Sequence, residues 1–96
     1  MNKEKSFFNC KMGSFHLNFE NGNQLSTTFS DGSYSENHNQ QLRATKLVES
    51  NDCEIMFTCN KKLQKKIEKK YNDGDQQPIG YLNITKWLEI VKMLSK

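Results

Sequence analysis

The side chains with the most obvious chemistry are two histidines, three cysteines and a block of lysines. His38 stands beside Tyr34, Glu36 and Asn37 in a polar run from Ser30 to Gln41. A histidine near a carboxylate is the minimum for general acid–base work, but nothing at legible spacing supplies a nucleophile or fixes the imidazole tautomer. His16, His38, Cys10, Cys53 and Cys59 are the only soft metal ligands, and their spacings match no zinc pattern. No glycine-rich phosphate loop is present. The expectation is a non-enzyme with no catalytic residue, no metal and no cofactor.

The lysines are the strongest charge feature. Lys61, Lys62, Lys65, Lys66, Lys69 and Lys70 against Glu68 leave +5 in ten residues, while the formal charge of the whole chain is only +3. Such a run reads first as a solvated face and second as a grip on an anionic partner, a nucleic acid or an acidic protein surface. Against nucleic acid stand the lack of interleaved aromatics, with Tyr71 only at the edge, and the single arginine, Arg43.

These groups must be held by a small scaffold. Ninety-six residues make one modest domain, and 34% hydrophobic against 26% charged residues is lean. The clearest element is a β-hairpin. Phe15, Leu17 and Phe19 alternate with polar residues, as do Leu25, Thr27 and Phe29, with Asn21-Gly22 between them. A two-residue loop would set every apolar residue of one strand on the polar face of the other. Three-residue loops keep the parity. Glu20-Asn21-Gly22 places Leu17 opposite Leu25 and Gly22 in the left-handed position; Asn21-Gly22-Asn23 would place Phe19 opposite Leu25. The first is preferred because glycine adopts positive φ without penalty.

Cys53, Ile55, Phe57 and Cys59 share one face of a further strand, with Glu54, Met56 and Thr58 on the other. The cysteines then read as buried free thiols of a reducing compartment. Residues 42–49 fit a short strand or an irregular segment, and Ser50-Asn51-Asp52 a turn. In 60–71, Leu63, Ile67 and Tyr71 lie within about 80° of a helical wheel, yet they also share strand parity. The C-terminal stretch is a helix: Asn83 is its N-cap, Leu82 and Trp87 form a hydrophobic staple, and Ile84, Trp87, Leu88, Val91 and Leu94 form one apolar stripe. Residues 1–14 are an N-terminal extension, frayed to about Lys5, on a domain spanning 15–96, with Phe7 and Phe8 as candidate anchors across the sheet. No signal peptide or membrane-spanning run is legible, so a cytoplasmic protein with no membrane partner is expected. Asn83-Ile84-Thr85 matches a glycosylation sequon that matters only in a secreted chain.

The run Phe15-x-x-x-Phe19-x-Asn21-Gly22, then Phe29, Gly32-Ser33-Tyr34 and Asn37, resembles a group of small bacteriophage and prophage accessory proteins. So does the pairing of Cys53-Glu54-Ile55 with Gly80-Tyr81-Leu82-Asn83 and a closing helix. The resemblance covers about residues 15–94. It implies that Leu63–Tyr71 is the return strand of a second hairpin, and that the chain is a phage accessory protein acting on host defence. It supplies no catalytic residue.

The expected architecture is α+β: a small antiparallel sheet of about four strands in two hairpins, covered on one face by the C-terminal helix. The expected function is binding, and blocking or sequestering, a host protein or a small signalling nucleotide in the host cytoplasm. The candidate residues are Asn18, Ser26, Thr28, Tyr34, Asn37, His38 and Arg43, on the polar sheet face and the polar loop. A homodimer through that face or a sheet edge is a further expectation. The alternative is a small nucleic-acid-binding protein using the lysines at 61, 62, 65, 66, 69 and 70.

Overall fold

In the computed structural model, residues 7–10, 12–38 and 48–96 are described. The hairpin pairs β2 (Ser14–Asn18) with β3 (Gln24–Thr28), and Leu17 faces Leu25. Phe19 N–H donates to Asn23 O (2.9 Å) and Gly22 N–H to Phe19 O (3.0 Å). The turn residues are therefore Glu20-Asn21-Gly22, the preferred register, with Gly22 at φ +92°. The same turn closes the far end of the fold. Asn21 Nδ2 donates to Leu94 O (2.8 Å) and Lys96 O (2.7 Å), and Asn23 Nδ2 to Leu94 O (2.9 Å). These amides satisfy carbonyls that the end of a helix leaves without intrahelical partners.

Four antiparallel strands form the main sheet in the order β2-β3-β5-β6, where β5 is Asp52–Thr58 and β6 is Ile79–Asn83. Its register stacks Leu17, Leu25 and Phe57 in one row and Phe15, Thr27 and Ile55 in the next, all on the core face. Cys53, Ile55 and Phe57 are buried and Met56 is exposed, as the alternation predicts. Two short strands, β1 (Phe8–Cys10) and β4 (Val48–Ser50), pair antiparallel as a second sheet. The N-terminal extension thus contributes Phe8, one of its two candidate anchors and 2% exposed, to the core. Its ring meets Phe29 at 5.6 Å and Trp87 at 5.4 Å between centroids.

The fourth strand is not the one expected. Lys61–Asn72 is a helix, α1, and the strand beside β5 is Ile79–Asn83. The physical reason is charge placement. As a strand, 63–71 would put Lys65 and Lys69 on the same face as Leu63, Ile67 and Tyr71, and burying unpaired ammonium groups is costly. As a helix, only Ile67 and Glu68 are buried, and all six lysines face water. Local signals agree with the helix. Asn60 caps it, its Oδ1 accepting from Leu63 N–H (2.8 Å), and Asp73 (φ 52°) and Gly74 (φ 89°) close it, with Gly74 N–H donating to Glu68 O (3.0 Å). Between α1 and β6, the Gln77 amide imitates a strand neighbour: Oε1 accepts from Phe57 N–H (2.6 Å) and Nε2 donates to Phe57 O (3.0 Å).

The last helix, α2 (Ile84–Leu94), packs on the sheet. Asn83 caps it through Lys86 N–H (2.9 Å), and Leu82 and Trp87 are both buried. Its apolar stripe is turned from the expected one: Ile90 is buried and Leu88 is 49% exposed. Trp87 sets this rotation. Its Nε1–H donates to the buried Thr27 Oγ1 (3.0 Å), and its ring packs between Phe7, Phe8 and Phe15. With Trp87 at the centre of the stripe, Leu88 lies about 100° away at its margin. Tyr71 on α1 ties the two helices together by donating to Glu89 Oε1 (2.6 Å).

Candidate functional site

The sheet face turned away from the helices carries three cross-strand rows: Ser14–Thr28–Glu54, His16–Ser26–Met56 and Asn18–Gln24–Thr58. Three of the predicted partner-binding residues, Asn18, Ser26 and Thr28, stand in these rows. A shallow hollow of about 170 Å³ is lined by His16, Gln24, Ser26, Met56, Phe57 and Thr58.

At the end of this face near Glu54, the polar loop after β3 folds back on the sheet. Two buried serines hold it. Ser33 Oγ donates to Ser30 O (2.7 Å) and lies 2.8 Å from Ser35 Oγ. Asn37 Nδ2 donates to Phe29 O (2.7 Å) and Glu49 O (2.9 Å), so this predicted binding residue ties the loop to β4. Carboxylates complete the attachment: Glu36 Oε1 accepts from Asn51 N–H (2.9 Å), Asp52 Oδ1 from Glu36 N–H (2.7 Å) and Glu54 Oε1 from Tyr34 N–H (3.2 Å). Residues 30–38 of the loop are thus clamped to β4 and β5.

The clamp holds Tyr34 outward between two other rings. Its ring lies 5.5 Å from His38 at 31° and 6.5 Å from Tyr81 at 37°. Tyr34 and Tyr81 are 49% and 58% exposed. His38 Nδ1 sits 2.9 Å from Ser33 O, which can only accept, so Nδ1 carries a proton and Nε2 is left as the second ring nitrogen. This contact with a backbone carbonyl orients the imidazole ring. Tyr81 adopts φ 52°, an uncommon conformation for a bulky residue, and its N–H donates to Tyr34 O (2.8 Å). This close approach depends on Gly80, where a Cβ would fall 2.5 Å from Tyr34 Cβ.

Tyr81 and Gly80 were not among the predicted site residues. The available signal was Gly80 itself, because a lone glycine in an otherwise strand-like run marks close backbone approach. Arg43 lies outside the described residues.

Among the described residues, the segments that carry and clamp Tyr34 and His38 are acidic. Residues 30–38 and 48–54 include Asp31, Glu36, Glu49, Asp52 and Glu54 and no lysine or arginine. The six lysines lie on α1, all exposed. Among the described residues, no three His, Cys, Asp or Glu side chains converge as a metal site. Burial, with Asp52 and Glu54 beside it, pushes the Cys53 thiol up to about 12, so it stays protonated at neutral pH and is a poor nucleophile. Burial also raises Cys59. No described helix is long and apolar enough to cross a membrane.

Comparison with known proteins finds no matching family model, no matching curated protein and no matching solved structure, so the functional reading rests on this geometry.

Proposed function

We propose that this chain is a non-enzymatic accessory protein of phage type, acting in the host cytoplasm, that binds and blocks a host factor through the open sheet face and the Tyr34–His38–Tyr81 corner. The observation that carries this reading is Tyr81. A bulky residue at φ 52° stores about 1–3 kcal/mol of backbone strain, and here the strained residue holds an exposed ring beside another exposed ring. Strain of this kind concentrates at binding and switch sites, and exposed tyrosines supply large, rigid contact area at low entropic cost. The five carboxylates of the surrounding segments disfavour a nucleotide phosphate and favour a protein surface that is basic or rich in hydrogen-bond donors.

Retention of a host factor from lysate by the wild type and by Tyr81→Gly, with unfolding measured on both, tests the reading. Glycine removes the ring and relieves the positive φ. The expected outcome is loss of retention with stability unchanged or raised by up to about 1 kcal/mol. Equal retention by both proteins would remove the corner from the function.

A second reading is supported by the six exposed lysines on half of one helix: nonspecific binding of nucleic acid. Affinity for random duplex DNA that collapses with added salt and disappears in the Lys65/Lys66/Lys69/Lys70→Ala variant would establish it. Salt-insensitive or undetectable binding would eliminate it.

A further inference from the structure

The two helices form a groove on a different part of the molecule from the aromatic corner. It encloses about 330 Å³ and is lined by Asn60, Lys62, Leu63, Lys66, Met93 and Lys96, from the start of α1 and the end of α2. Leu63 and Met93 are half-buried, packing against the core with one side and forming an apolar floor with the other. Lys62, Lys66 and Lys96 are exposed around them, and no aspartate or glutamate lines the groove. A neighbouring hollow of about 230 Å³ on the same helix is different: Lys61, Gln64, Lys65, Glu68 and Gln76 line it, polar throughout and with a carboxylate in the wall.

We propose that the α1–α2 groove docks an acidic segment of a partner protein, with one apolar side chain inserted over Leu63 and Met93 and flanking Asp or Glu side chains meeting the lysines. Charge complementarity selects an anion, and the floor selects among anions. The aliphatic stems of the lysines extend the apolar wall while their ammonium groups remain in water. A phosphodiester backbone gains nothing from an apolar floor, and no aromatic ring lines the groove to stack a base. The volume is at the small end of the roughly 300–1,000 Å³ of ligand pockets, enough for a side chain or two and too little for a lipid body. The remaining lysines of α1 raise the encounter rate with such a segment. This docking site stands independently of the corner.

The test titrates isotope-labelled protein with three probes: a peptide carrying Leu-Phe between Asp/Glu flanks, the same peptide with Ser-Ser in place of Leu-Phe, and random duplex DNA. The first peptide is expected to shift the amides of Leu63, Lys66 and Met93. Its affinity is expected to fall by about tenfold or more in Lys62→Glu/Lys66→Glu, and by a similar factor for the serine peptide. The serine control needs no altered protein, so it does not depend on how a variant folds. Equal binding of the two peptides would overturn the role of the floor. Absence of shifts at the groove would overturn the site. DNA shifting the same amides and displacing the peptide would make this a nucleic-acid face instead.

Discussion

The aromatic corner and the lysine face of α1 are both exposed, but they are built in opposite ways. The corner is over-determined. Ser33, Ser35, Asn37, Glu36, Asp52 and Glu54 all form hydrogen bonds that hold its loop, Gly80 admits Tyr34 where any side chain would collide, and Tyr81 is held at a strained φ. The lysine face needs almost nothing. Ile67, the half-buried Leu63 and Tyr71, and two caps fix the helix, and the lysines project from it into water. Their charges are opposite too, five carboxylates in residues 30–38 and 48–54 against six ammonium groups on α1. Rigid aromatic surface suits recognition of a shape. Flexible like charges suit attraction at a distance, screened by salt.

Four variants break or sharpen that contrast. The largest effect is expected at Ile67, the fully buried residue that attaches α1 to the core. Ile67→Ala should lower unfolding free energy by about 2–5 kcal/mol, read by denaturant melts. A loss under 1 kcal/mol would mean that the helix is anchored elsewhere, for example by the Tyr71–Glu89 hydrogen bond. Gly80→Ala comes next. The colliding atoms are Tyr34 Cβ and its carbonyl oxygen, neither at the end of a flexible side chain. Overpacking should cost about 1–3 kcal/mol and shift the Tyr34 and Tyr81 amides in NMR spectra. Unshifted amides would show that the corner is looser than its geometry suggests. The smallest effect is expected for Lys65→Ala and Lys69→Ala, each within about 0.5 kcal/mol of wild type, because neither side chain is buried. A larger loss would show that the lysines take part in the fold.

The tie between the helices adds a pH dependence. Burial, with Glu89 accepting its hydroxyl proton, raises Tyr71 from 10 to about 12. A folded-state value above the unfolded one favours the protonated, hydrogen-bonded phenol. Its contribution is complete below pH 10 and is lost as the pH rises toward 12. A Tyr71→Phe variant should lack the part of alkaline destabilisation in that window.

Much of the fold was legible because it is written in near neighbours. Parity and a single glycine specify the Leu17–Leu25 register, and Asn83, with Leu82 before it and Trp87 after it in a staple, specifies the start of α2. Alternation orients Cys53, Ile55 and Phe57. The candidate site was legible only in part. Tyr34 and His38 were visible as an aromatic and a titratable group in a polar loop, whereas Tyr81 looked like an ordinary residue before a helix.

What the sequence determined by itself is whatever depends on spacing along one element: the three-residue turn, the caps, and the opposition of lysines to Leu63, Ile67 and Tyr71. Tertiary structure alone decided which segment lies beside β5, that Ile90 and not Leu88 is buried, and that Tyr34 and Tyr81 meet. Each depends on groups far apart in the chain. Residues 63–71 satisfy both helix and strand periods, and the choice turns on whether lysines would face a core that 63–71 do not themselves build. The rotation of α2 follows from an indole reaching Thr27, sixty positions earlier. Periodicity carries no information about such partners, because it records where a side chain points relative to its own backbone and not what it will touch.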